Sequence, residues 1–374
     1  MEVRAGYRQT EIGVIPTDWE VKELGNIIDF KGGSQPPLTT FISIPKVGYI
    51  RLLQIRDYKT DKYETYIPIN LARKFCNKSD IMIGRYGPPI FQILRGLEGA
   101  YNVALMKAIP KKEIIKEYAF HFLKQDSLFN FVEKLSQRSS GQTGVDLQQL
   151  KKYPLGLPSN AEQIAIAAAL SDADSLLNSL EKLISKKRNI KHGALQKLLK
   201  ARGGWEVKKL GDVLKVKHGK SQKAVEERSG KYPILGTGGL MGYTNQFLYD
   251  KPSVLIGRKG TIDKPRYMNS PFWTVDTLFY TEIFEGYNAK FIFYIFNLID
   301  WYSFNEASGV PSLNAKTIEN IERGFPSLSE QTRISDILSD MDAEIVALET
   351  KLDKYRKVKL GMMQNLLTGK IRLI

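Results

Sequence analysis

Trp19-Glu20-Val21-Lys22-Glu23-Leu24-Gly25 returns as Trp205-Glu206-Val207-Lys208-Lys209-Leu210-Gly211, 186 positions later. A repeat on this scale is read before anything else, because missing it misreads the whole fold. Working outward, further landmarks recur in the same order with a drifting offset. Ile83-Gly84-Arg85 returns as Ile256-Gly257-Arg258 after 173 positions. Glu162-Gln163 returns as Glu330-Gln331, and Ser171-Asp172-Ala173-Asp174 as Ser339-Asp340-Met341-Asp342, both after 168. Leu198-Leu199 matches Leu366-Leu367 at that same spacing. A chance origin for so many landmarks in one preserved order is remote. The chain is two copies of one unit, with insertions between landmarks in the first.

Each copy divides into a globule and a helix, at residues 1–157 and 158–200, then 201–325 and 326–374. The globules mix short β-rich runs with Gly/Pro turns, as in the stretches 48–55 and 251–257. Helical stretches follow at 114–135 and 289–302, which makes each globule α+β. Each second part reads as one long helix, with Ser159-Asn160 and Ser327 as N-cap candidates. A heptad places Leu170, Leu177, Ile184, Lys191 and Leu198 in one row, with Ala173, Leu180, Lys187 and Ala194 three residues later. The second copy holds the same frame with Leu338, Ile345, Leu352, Lys359 and Leu366, and with Met341, Leu348, Tyr355 and Met362. Sustained heptads predict a coiled coil, and matched frames predict that the two helices pair with each other. The expected fold is α+β: two similar globules separated by two long helices paired as an antiparallel coiled coil, an internal pseudo-two-fold repeat. The lysines in the seam, Lys191 and Lys359, predict that those ends open or meet another protein.

Charge points to the partner. Of 374 residues, 55 are Lys or Arg and 40 are Asp or Glu, a net +15. The helical stretch 161–200 carries +3 and 329–370 carries 0, leaving +12 on the remainder, mostly the globules. An excess of this size and placement suggests an anionic partner, above all nucleic acid, bound on the globules. A single cysteine, Cys76, excludes an intrachain disulfide and a cysteine-based zinc site, and fits a reduced cytosolic setting. His121, His192 and His218 show no metal-ligand spacing. The opening MEVRAGYRQTE lacks the apolar run of a signal peptide, and the most apolar window, residues 291–299, is far below the roughly 20 residues of a membrane span.

Catalytic motifs are missing. Gly87-Pro88-Pro89-Ile90 has the prolines of an adenine-methyltransferase loop without its polar residue or its aromatic, and Ser270-Pro271-Phe272 has one proline only. Both read as turns. Gly236-Thr237-Gly238-Gly239 lacks the strand–loop–helix setting of a phosphate cradle and reads as a flexible loop. Gly219-Lys220-Ser221 resembles a P-loop ending, but Leu214 stands where its first glycine would be. The chain is expected to bind rather than catalyse, with no cofactor of its own.

Three loops recur in both copies and pair Gly with basic or polar side chains. The first is Lys31-Gly32-Gly33-Ser34-Gln35, matched by Lys217-His218-Gly219-Lys220-Ser221. The second is Gly84-Arg85-Tyr86-Gly87, matched by Gly257-Arg258-Lys259-Gly260. The third is Arg138-Ser139-Ser140-Gly141-Gln142, matched by Glu306-Ala307-Ser308-Gly309. Glycine lets backbone approach a phosphate closely. Arg and Gln read base edges through paired hydrogen bonds, whereas Lys and Ser mostly hold phosphates. The candidate DNA-binding residues are therefore Lys31, Ser34, Gln35, Arg85, Tyr86, Arg138, Ser139, Gln142, Lys217, His218, Lys220, Arg258, Lys259 and Ser308.

The stretch from Thr10 to Val21 (TEIGVIPTDWEV) resembles the opening of type I restriction–modification specificity subunits. Leu157-Pro158-Ser159-Asn160-Ala161-Glu162-Gln163 and Phe325-Pro326-Ser327-Leu328-Ser329-Glu330-Gln331 resemble that family's helix start, and the tail from Asn365 to Arg372 (NLLTGKIR) its closing motif. One departure stands out: Ala201-Arg202-Gly203-Gly204 follows the first helix where the closing motif follows the second. The resemblance implies two target-recognition domains that each read one half of a split site in double-stranded DNA, and antiparallel helices that set their spacing. It also implies two modification subunits, which hold S-adenosylmethionine and methylate adenine, docked on this chain. Restriction subunits would add ATP-dependent translocation and cleavage. The family's contact residues vary with the target, so the resemblance assigns none of them. An alternative is a coiled-coil assembly protein whose basicity is incidental. Charge on the globules rather than the helices speaks against it.

Overall fold

The computed structural model describes residues 4–136 and 144–373. The chain folds as two compact units, one made of Met1–Ser179 with Leu352–Ile374 and the other of Leu180–Lys351. The two long helices, Asn160–Leu198 and Leu328–Leu366, each have 39 residues, and each unit takes part of both.

The same three sheets are built in each unit. In the first, Ile28–Gly32, Leu105–Pro110, Ile81–Gly84 and Ile93–Leu94 lie side by side in that order, all antiparallel. In the second, Leu214–Lys217, Leu278–Ile283, Ser253–Gly257 and Arg266–Met268 repeat the order. A smaller sheet centres on a parallel pair, Tyr49–Leu53 with Gly99–Tyr101 in the first unit and Tyr232–Gly236 with Trp273–Thr274 in the second. A two-stranded ribbon then pairs Glu20–Glu23 with Pro154–Leu157, and Glu206–Lys209 with Glu322–Phe325. The Trp-Glu-Val-Lys landmark is the first strand of that ribbon. Its partner strand feeds straight into the long helix.

The glycines of the ribbon are required by close packing. A Cβ on Gly156 would stand 2.9 Å from the Trp19 ring, and one on Gly324 would stand 2.8 Å from Ala201 and 3.0 Å from the Trp205 ring. Trp19 is buried and begins a core that runs through Ile81, Ile83, Tyr118 and Phe122 to Ile166 and Leu170 of the first long helix and Leu366 of the second. The second unit's core joins Val254, Ile256, Phe291 and Phe296 to Ile334 and Leu338, with Leu195 from the other helix. Each fully buried Leu, Ile or Phe contributes about 1.5–3 kcal/mol from burial, so the helix starts are anchored by their own globules.

The heptad frame is followed residue by residue. Every a and d position of both helices named above is buried or half-buried, while most of the positions between them are exposed. Within each unit the two helix halves run antiparallel: Asp174 meets Lys359 in the first, and Lys187 meets Glu344 while Lys191 meets Asp342 in the second. The seam lysines, expected to mark open ends or a protein contact, are closed by carboxylates instead. Both pairs are the same interaction at the repeat spacing of 168. An ammonium half-removed from water demands a counter-charge, and the Ser-Asp-x-Asp landmark supplies it.

Three local expectations change. The helical stretch 114–135 is two helices, Lys116–Leu123 and Asp126–Ser136, because the chain turns at Lys124, where backbone N–H groups close onto His121 and Phe122. The stretch 289–302 is likewise a helix, Ala289–Phe296, followed by a 3₁₀ turn at Trp301–Phe304. The cluster 236–239 is no loose loop but the tight turn of a hairpin between Tyr232–Gly236 and Gly239–Thr244. Cys76 is buried, and burial pushes its thiol up to about 11, which makes it a poor nucleophile. No helix among the described residues is long and apolar enough to cross a membrane, and no cluster among them would hold a metal ion.

Candidate DNA interface

The main sheet of each unit sets the candidate loops. In the first unit, Gly32 pairs with Met106 and Gly84 with Leu105, so two strands end and one begins at the same sheet edge. The loops at 33–35, 85–87 and 102–104 therefore leave together. Gly33 has to be glycine: a Cβ there would lie 1.9 Å from the Asn102 carbonyl oxygen. The second unit repeats this with Gly219, whose Cβ would lie 2.0 Å from the Val275 carbonyl oxygen.

The two arginines occupy equivalent cradles. The Arg85 N–H donates to Ala104 O and the Arg258 N–H to Thr277 O, both at 2.8 Å. Their guanidinium groups donate to Val103 O (3.5 Å) and Asp276 O (3.2 Å). Neither forms an ion pair among the described residues, so most of their donors face outward. Arg85 also lies over the Tyr86 ring at 5.3 Å, and its Nη1 stands 3.7 Å from where a Gly32 Cβ would be. Held by a carbonyl, and in Arg85 by a ring as well, each guanidinium has lost part of its rotamer freedom before any ligand arrives, which lowers the cost of binding.

The segments at 144–145 and 312–313 close against the second loop of each unit. Tyr86 bridges Gly144 and Lys259 bridges Ser312 in antiparallel fashion, and Val145 and Leu313 donate to the carbonyls of Arg85 and Arg258 (3.1 and 2.9 Å). Asn305 Oδ1 accepts from Ala307 and Ser312, which holds exposed Ser308 on a closed turn. Arg138, Ser139 and Gln142 lie outside the described residues.

Other candidates differ in their freedom. Lys31 and Gln35 are exposed, and Gln35 donates to the neighbouring Pro36 O (3.3 Å). Ser34 and Lys220 make the same backbone bond in the two units, to Tyr101 O (3.2 Å) and Thr274 O (2.8 Å). Tyr86 and Lys259 are exposed at the loop tips. Lys217 is paired with Glu282 at 3.2 Å, and His218 stands edge-on against Phe279 with centroids 4.9 Å apart. Lys217 is thus committed to an ion pair, while His218 remains exposed beside its ring. Asn102 was not singled out from sequence. Its side-chain oxygen accepts the Ala104 N–H (3.1 Å) and braces the 102–104 loop, whose Ala104 carbonyl receives the Arg85 N–H. Only a contact 17 or more residues away in sequence gives it that place.

The comparisons with known proteins now bear on this arrangement. The sequence profile of the type I restriction modification DNA specificity domain matches residues 16–191 and again 202–355. A type I restriction enzyme MjaVIII specificity subunit of Methanocaldococcus jannaschii is 24% identical, over 96% of this chain and 94% of its own. A putative MjaX specificity subunit of the same organism is 27% identical, over 98% and 97%. Among solved structures, the S subunit of a type I restriction-modification system from M. genitalium superposes with a TM-score of 0.66 at 17% identity, covering 98% of both chains. The likeness thus extends to the fold as a whole, both halves included. With the profile met twice along its length, this chain belongs to the family of type I restriction–modification DNA specificity subunits.

Proposed function

We propose that the chain reads a bipartite, asymmetric site in double-stranded DNA, one half-site per unit, and carries modification subunits that methylate what it finds. The observation that carries this is the recurrence, in each unit, of one arginine whose guanidinium donates to a backbone carbonyl where two glycine-bearing loops, 33–35 with 85–87 and 219–221 with 258–260, leave the main sheet together. Two equivalent but chemically different reading heads suit two different half-sites. The first unit has Tyr86 and the longer segment 54–65; the second has Lys259 and a short glycine-rich turn at 236–239. The chain itself supplies recognition and no chemistry; the modification subunits bring the methyl donor, and restriction subunits the nuclease.

The test is binding to duplex DNA, alone and with a modification subunit, over a range of salt. A surface excess near +12 predicts several phosphate contacts, and log affinity falls by about 0.9 per phosphate for each unit of log salt. A slope near zero would sink the proposal. Arg85→Ala and Arg258→Ala are each expected to relax selection in one half-site; equal loss on all sequences would assign them to phosphates. A methylome showing one uninterrupted palindrome would contradict the bipartite reading.

A further inference from the structure

In each unit, the central strand of the smaller sheet hands over to a segment that the three recurrent loops do not include. Hydrogen bonds establish which residues correspond. Asn102 N donates to Leu53 O (3.1 Å), and Val275 N donates to Leu235 O (3.0 Å). Leu53 and Leu235 therefore correspond, and counted from them Gln54, Ile55 and Arg56 follow in the order in which Gly236, Thr237 and Gly238 follow in the other unit. Both segments lie against the arginine loops: Ile55 Cδ1 is 3.2 Å from where a Gly84 Cβ would be, and Thr237 Oγ1 is 3.6 Å from where a Gly260 Cβ would be.

The two segments share a place and differ in chemistry. Asp57 accepts the Gln54 backbone N–H (2.6 Å) and locks the turn, while Gln54 Nε2 donates to Thr65 Oγ1 (3.1 Å). Arg56 is exposed, lies over the Tyr63 ring at 5.6 Å, and directs Nη2 to Thr65 Oγ1 at 3.5 Å. Of the acids nearby, Asp61 and Glu64 line the same hollow as Arg56 but pair with Arg51 (3.1 and 2.9 Å), and buried Asp57 feels the Arg56 charge without pairing with it. Arg56 forms no ion pair among the described residues. It borders a hollow of about 480 Å³ together with Ser43, Tyr63 and Thr65. The corresponding Gly238 offers only backbone.

We propose that Arg56 is a specificity-determining residue of the first unit, reading a base edge in its half-site from a fourth loop beside that of Arg85. This rests on the DNA-recognition reading above. The ring and the threonine hold the plane of the guanidinium, and a planar fork of N–H donors matches the paired acceptors of a base edge, which a point charge on a flexible stem does not. The second unit has no side chain in this role, so the fourth loop is a source of the difference between the half-sites.

The experiment compares the wild-type chain, Arg56→Gly and Arg56→Lys, each assembled with its modification subunits, in selection from a random duplex library at two salt concentrations. Arg56→Gly reproduces the second unit's residue, and Arg56→Lys keeps the charge without the fork. Both variants are expected to lose discrimination at the same base position of one half-site, by roughly 10- to 100-fold, with the other half-site unchanged. Selection by Arg56→Gly that matches wild type overturns the proposal. So does a weakening spread evenly over all sequences that Arg56→Lys restores, which would make Arg56 a phosphate contact. A wild-type complex that selects no sequence overturns the DNA-recognition reading and this inference with it, and so separates the two failures.

Discussion

Glu162 and Glu330 open the two long helices at matched positions, yet they live in different surroundings. Glu162 has no exposed side-chain surface. The Trp19 indole N–H donates to it (2.9 Å), and Arg372 reaches it through two nitrogens while also gripping Asp18 at 2.8 and 2.9 Å. The hairpin of Tyr7–Thr10 and Gly13–Pro16, which has no counterpart in the second unit, covers the tail: the Tyr7 hydroxyl donates to Gly369 O (2.9 Å), and a Cβ on Gly369 would meet Pro16 at 2.5 Å. Glu330 keeps 28% of its side-chain surface and pairs with half-exposed Arg202. The Trp205 indole nitrogen is buried with no hydrogen-bond partner among the described residues. One scaffold thus tolerates either a sealed ionic node or an open one. What decides is whether enough chain is at hand to cover it.

That contrast can be broken most directly at the arginines. Arg372→Ala leaves a buried carboxylate without its cation, and the first unit should lose about 3–5 kcal/mol. Arg202→Ala removes an exposed partner and should cost less than about 1 kcal/mol. Urea unfolding followed by hydrogen exchange in peptides from each unit measures both. Equal losses would mean that the cover contributes nothing.

Acid should separate the units next. His121 is fully buried on the first helix's flank, sharing a hydrogen bond with Ser171 (3.0 Å) while Nδ1 stays 3.9 Å from Asp174. Burial pushes it down to about 4, outweighing the pull of Asp174, with Lys359, Lys124 and Arg95 adding to the fall. Between its ordinary value near 6.5 and 4, the unfolded chain takes up a proton that the folded one refuses. Stability therefore falls as pH drops through that window, by on the order of 3 kcal/mol at its foot. Tyr294 holds the corresponding place in the second unit, donating to Asp342 (2.8 Å), and does not titrate there. His121→Gln should flatten the acid slope of the first unit alone; an unchanged slope would assign it elsewhere.

A smaller contrast than that of Arg372 should be found at the tryptophans. Trp19→Phe strands Glu162 without one donor and should cost about 1–3 kcal/mol. Trp205→Phe removes an N–H that has no hydrogen-bond partner among the described residues, so the polar loss is absent and only packing changes. Chemical denaturation of the pair checks the sign: a larger loss at Trp205 would show that its nitrogen does find a partner.

Much of this was legible before any coordinates. The repeat named the ribbon, the helix starts and the arginine loops, because each landmark is a local run whose residues touch at short range. The heptads named the seam, because a helix returns the same face every three or four residues. The loops were legible as a set but not as an ensemble: that Arg85 lies beside Gly32 and behind Gly144 depends on strand register. The Arg56 segment was hidden because its counterpart, Gly236-Thr237-Gly238, shares neither composition nor length with it. The departure at 201–204 was visible, whereas its consequence, an arginine serving Glu330 from a shorter tail, was not.

Sequence by itself determined two copies, α+β globules, paired long helices, a basic surface on the globules, and the family. Those features are carried by periodicity, composition and local motif, which survive without knowledge of distant contacts. Only the tertiary structure decided which carboxylate is sealed, which lysines of the seam are neutralised, and which loops share an edge. Each of those is a contact between residues far apart in the chain, 210 positions for Glu162 and Arg372 and 185 for Asp174 and Lys359. Ionic and hydrogen-bonding energies depend on that distance and on the water excluded around it, and a linear sequence specifies neither.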